Sequence, residues 1–114
     1  MVEQTISIHA AEGTWVVRAR GAVIAESTNA LELVEGDYPP VIYIPREDVA
    51  MPFLEPSDTI STCPHKGAAT HFSLVAKSGV IKDAAWSYET PHEAVSRIAG
   101  HIAFYGSKAT VERL

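Results

Sequence analysis

Thr62-Cys63-Pro64-His65-Lys66-Gly67-Ala68-Ala69 packs the chain's one cysteine, a proline, a histidine, a lysine and a glycine into a short segment. Proline fixes its own backbone and biases Cys63 toward an extended conformation. Gly67 permits backbone angles that other residues resist. Two strand-like apolar runs flank the segment, with Phe72-Ser73-Leu74-Val75 on its far side. A loop of this kind, held between strands, presents its side chains in fixed directions and sets the expectation of a β-rich domain.

Reading outward toward the N-terminus, Thr5-Ile6-Ser7-Ile8-His9 alternates polar and apolar, the pattern of a half-buried strand. Trp15 to Arg20 repeats the alternation, and Gly21-Ala22 leads into Val23-Ile24-Ala25-Glu26, which predicts a hairpin. Ala30 to Val34 and Val41 to Ile44 read as further strands, separated by the turn-rich Glu35-Gly36-Asp37-Tyr38-Pro39-Pro40. Glu55-Pro56-Ser57-Asp58 reads as a turn, with Asp58 as its capping residue.

Toward the C-terminus, Thr70 to Ala76 and Val80 to Tyr88 read as strands around a Lys77-Ser78-Gly79 turn. Thr90 as N-cap, Pro91 at the first helical position, and Val95 and Ile98 at helical spacing predict one short helix near 91–99, ended by Gly100. Ile102 to Tyr105 and Thr110 to Arg113 complete the strand count. The expected architecture is a single domain over residues 1–114. It is mainly β, one antiparallel, strongly curled sheet, barrel-like or tent-like, with that helix.

Composition narrows the function classes. A length of 114 residues suits one domain with its own core. The formal net charge of −5, with no run of Lys or Arg, argues against nucleic acid and anionic membrane as partners. No stretch approaches the roughly 18 consecutive apolar residues of a membrane-crossing helix. Met1-Val2-Glu3-Gln4 lacks the apolar core of a signal peptide, and a lone cysteine fits a reducing compartment, so a cytoplasmic location is expected.

The motifs along the second half resemble the DUF427 family, small bacterial and fungal proteins of undefined function. The resemblance rests on Tyr43-Ile44-Pro45-Arg46-Glu47-Asp48-Val49, Thr62-Cys63-Pro64 with Lys66-Gly67 and Ala69, and Ala84-Ala85-Trp86-Ser87-Tyr88 with Pro91. Ile98-Ala99-Gly100-His101 with Ala103-Phe104-Tyr105 completes it. His65 and His71 stand where family members usually carry aromatic residues. The resemblance implies a small, strongly bent β structure with a short helix, and no activity. A nucleotidyltransferase-like name has been attached to the family, and no residue pattern in this chain corresponds to that chemistry.

Three chemistries compete for the Cys-Pro segment. Cys63 with His65 or His101 is the candidate catalytic set, because a thiolate is the reactive form and a neighbouring cation favours it; the plain alternative is a buried small hydrophobe. Cys63, His65, His71 and His101 lack the paired spacing of a metal site, so no metal or other cofactor is expected. The leading expectation is a pocket for a small anionic or aromatic molecule, formed by the Cys-Pro-x-Lys-Gly loop and the Trp86 strand. Tyr43, Trp86 and Tyr88, with Tyr105, would supply aromatic walls, and Arg46 and Lys66 the charge. The remaining alternative is a structural or protein-interaction module whose aromatic residues are all core. Oligomeric state is not legible.

Overall fold

Antiparallel pairing accounts for every strand in the computed structural model, which describes residues 5–114. The reading of Met1 to Gln4 therefore lies outside the described residues. The protein is mainly β, and its strands are β1 (Ile6–Ala10), β2 (Trp15–Ala19), β3 (Ala22–Ser27), β4 (Leu31–Glu35) and β5 (Val41–Tyr43). They continue with β6 (Leu54–Cys63), β7 (Gly67–Ala76), β8 (Gly79–Ser87), β9 (Ala103–Phe104) and β10 (Thr110–Arg113). No described helix is long and apolar enough to cross a membrane.

The single curled sheet expected from sequence is not what forms. Three separate sheets do, in the orders β1-β4-β5, β10-β2-β3 and β6-β7-β8-β9. Pro45, which has no N–H and a fixed φ, stops β5 after three residues, so the first sheet cannot run on into the third. Only a two-residue bridge joins them, through reciprocal Ile44 and Ile102 backbone bonds of 2.8 Å. Val16 and Val17, and again Ala84 and Ala85, are all buried. Side chains alternate across a strand, so burial of consecutive residues means both faces of these strands are covered.

Two apolar clusters result. Val17, Ile24, Ile44, Leu54, Phe72, Leu74, Ala85 and Ile102 bring the second and third sheets together. Leu33, Tyr43, Ala69, Tyr88, Val95, Ile98 and Ala103 form the other, between the first sheet, one end of the third and the segment after Tyr88. That segment is not the capped α-helix the sequence pattern predicts. Glu93–Ile98 makes 3-10 turns broken at Val95 (φ −121°, ψ 25°) and preceded by an uncapped His92. Six residues are too few to offset α-helical nucleation. Burial of Val95 and Ile98 holds the segment in place instead.

The Cys-Pro stretch is the tip of the longest hairpin. Thr62 pairs with Ala68 and Cys63 with Gly67, leaving Pro64, His65 and Lys66 as the turn. Strand β6 also absorbs Glu55-Pro56-Ser57-Asp58, expected as a turn. It does so by bulging: Pro56 faces Phe72 and Ile60 faces Thr70, so Ser57, Asp58 and Thr59 stand opposite His71 alone. Ser57, rather than Asp58, caps this bulge, its Oγ accepting from the Thr59 amide at 3.2 Å. A second bulge in β8 sets Lys82, Asp83 and Ala84 opposite Ser73. Asp83 adopts left-handed backbone there (φ 49°) and accepts from Ser57 Oγ at 2.5 Å and Thr59 Oγ1 at 2.7 Å, tying one bulge to the other.

Candidate functional site

Strand alternation aims Leu33 and Glu35 the same way along β4, and β5 sets Tyr43 beside them through the Leu31–Tyr43 register. From the third sheet, β8 delivers Trp86, and Tyr88 follows just beyond its end. The hairpin tip adds Lys66, anchored where its carbonyl accepts from the His92 amide at 3.0 Å. These pieces enclose a cleft of about 220 Å³ lined by Glu35, Tyr43, Lys66, Trp86, Tyr88 and Tyr105 among others. A wider cleft of about 660 Å³ adjoins it and shares Tyr38, Pro39, Val41, Trp86 and Tyr105 as common wall. Its further walls include Trp15, Ile42, Phe104 and Val111.

The aromatic residues are not spread evenly over the core. Both tryptophans and all four tyrosines of the chain line one or other of these clefts. Tyr43 meets Trp86 edge-on, with centroids 6.3 Å apart and planes at 87°. Trp86 Nε1 donates to Tyr43 Oη over a long 3.4 Å. On the other side Trp86 and Tyr105 are tilted at 44° with centroids only 4.5 Å apart. Tyr105 in turn stacks on the buried His71, whose Nε2 lies 3.0 Å from the Tyr105 hydroxyl. The result is a continuous file of rings in which Tyr43, Trp86 and Tyr105 line the clefts and the buried His71 backs Tyr105.

Charge enters the smaller cleft as a pair. Lys66 Nζ donates to Glu35 Oε1 at 2.8 Å, with side-chain exposures of 12% and 14%. Burial pulls the Lys66 ammonium down, but the Glu35 hydrogen bond and carboxylate charge help to outweigh it, so it sits above its ordinary range. Burial likewise pushes the Tyr43 hydroxyl up to about 12, only partly offset by the Trp86 hydrogen bond. Tyr88 is raised mainly by burial, against the lowering effect of Lys66. The phenols stay neutral donors, and the ion pair supplies the fixed polarity.

Of the residues singled out from sequence, Tyr43, Lys66, Trp86 and Tyr88 come together around one cleft. Arg46 does not join them: it holds Glu89 and lies over the Phe72 ring, 5.9 Å from its centroid. Cys63 is half-buried and packs against the cluster that contains Tyr43 and Tyr88. His65 is exposed at the hairpin tip, and His101 Nδ1 lies 3.1 Å from the Ala99 carbonyl. No group of three His, Cys, Asp or Glu side chains with metal-binding spacing occurs among the described residues. Sequence reasoning missed Glu35, whereas Tyr105 takes its place in the cleft wall beside Trp86. Glu35 was hidden in a turn-like run, although its two-residue spacing from Leu33 marks a shared face.

Residues 7–113 match the family model described as a domain of unknown function, DUF427. No match was found among the curated proteins.

Proposed function

The chain belongs to the DUF427 family, whose description carries no activity, and on that footing we propose that the Lys66–Trp86 cleft binds a small aromatic molecule. One observation carries this. Both tryptophans and all four tyrosines converge on two adjoining clefts, while the two cations expected to favour an anion are each neutralised by a carboxylate, Lys66 by Glu35 and Arg46 by Glu89. An anionic ligand would have to compete with a carboxylate that already holds each cation. A neutral ring leaves both ion pairs intact and gains stacking with Trp86 and Tyr105. The half-buried packing of Cys63 favours this reading over a thiol nucleophile.

The test is a protein-observed NMR titration with naphthalene-like rings. The Trp86 indole N–H should shift together with resonances of Tyr43, Tyr88 and Lys66. Trp86→Leu should weaken binding about tenfold, the value of one to two kcal/mol of stacking. Shifts confined to other surfaces, or none at millimolar ligand, would count against the proposal.

A further inference from the structure

We infer that the Lys66–Glu35 pair reads the edge of the bound ring, and selects a heteroaromatic lactam in which a carbonyl and an N–H stand side by side. The inference rests on the cleft being an aromatic site and specifies what kind of ring it takes. Glu35 and Lys66 both line the smaller cleft, with Tyr43 and Tyr88 among its walls. Their single hydrogen bond uses one of three ammonium N–H groups and one of two carboxylate oxygens. A donor and an acceptor therefore remain next to each other on a largely buried ion pair. The second Glu35 oxygen is not sealed off from solvent, so a ligand that covers the pair without supplying partners strands these groups, and one that supplies both is preferred.

A lactam meets this demand without breaking the pair. Its carbonyl accepts from Lys66 Nζ and its N–H donates to the second Glu35 oxygen, while its ring lies against Trp86. An aromatic carboxylate matches Lys66 but repels Glu35. A plain hydrocarbon ring leaves both polar groups desolvated and unmatched. Polar sites of this kind reject analogues lacking the matching group far more strongly than apolar pockets reject a missing methylene.

The experiment titrates the full chain with a quinolinone, N-methylquinolinone, naphthalene methanol and naphthoate, and reads Kd from the Trp86 indole N–H shift. The quinolinone should bind at least tenfold more tightly than each of the others. Glu35→Gln and Lys66→Met should erase that preference while retaining ring binding. The wild-type ligand series decides the matter even if either variant fails to fold. Equal affinity across the series overturns the inference and leaves an aromatic site standing. Tightest binding by naphthoate overturns it in favour of an anion site. No binding by any ring overturns both the inference and the function it specifies.

Discussion

Arg46 grips Glu89 through two parallel N–H···O bonds of 2.8 and 2.9 Å across 43 residues of sequence. Ser87 donates to the same carboxylate. The Arg46 bonds, with help from Ser87, hold the Glu89 carboxyl below its ordinary range. A depressed carboxylate contributes stability that is present above its unfolded pKa and is lost as pH falls through its folded one. Glu89→Gln should therefore lower the urea-unfolding free energy at neutral pH by less than about 1 kcal/mol, since the pair is partly exposed. It should also flatten the loss of stability between about pH 5 and pH 3. Parallel pH curves for wild type and variant would remove Glu89 from the account.

Tyr43 sits at the other end of the pH scale. Burial raises its hydroxyl to about 12. A group whose folded pKa is raised gives stability that is complete below its unfolded value, near 10, and fades as pH climbs through the folded one. Burial raises Tyr88 and Tyr105 as well, so in phenolate absorbance three of the four tyrosines should titrate late, Tyr43 last of all, and Tyr43→Phe should delete that last step. If the variant keeps the step, another tyrosine owns it.

Gly67 opens β7 with φ 112°, a conformation that L side chains rarely adopt. An alanine Cβ there would also stand 3.6 Å from the Thr90 carbonyl oxygen and 3.7 Å from Pro91 Cα. Space is adequate, so backbone strain dominates, and Gly67→Ala should cost about 1–3 kcal/mol. For a domain this size that lowers the melting temperature by several degrees. Gly106→Ala, with open space around its Cβ and no positive φ, should differ little from wild type. Equal melting temperatures for the two variants would refute the strain at Gly67.

Asp83 ties the two bulges of the third sheet together. Its Ser57 and Thr59 hydrogen bonds keep its carboxyl below the ordinary range. Asp83→Ala should speed amide exchange at Ser57–Thr59 and at Asp83 itself. Asp83→Asn should do so less, because asparagine tolerates left-handed backbone and retains an accepting oxygen. Unchanged exchange in both variants would mean that the bulges hold without this link.

The sequence exposed local structure better than partnership. Alternation marked Trp15–Ala19, and turn chemistry marked the Lys77-Ser78 hairpin, because both signals are short-range. Nothing short-range says that β10 pairs with β2, or that β1 passes over its nearer neighbours to join β4. The single-sheet expectation failed there. Pro56 and Asp58 read as a turn because a bulged strand and a turn recruit the same residues. In the cleft, Trp86 and Tyr88 stood out by spacing and Lys66 by its rigid loop. Arg46 gave no sign that Glu89 would claim it, since a charge advertises itself in sequence and its counter-charge does not.

Strand β6 is ten residues long, lies at the margin of its sheet and leaves Ile60 70% exposed. A flat ribbon of that kind would recruit a further strand from another chain and seed fibrous stacking. Pro56 offers no donor to such a newcomer, and the Ser57–Thr59 kink interrupts the spacing it would need to match. The irregularity that hid this strand from the sequence is thus what keeps its open flank from growing.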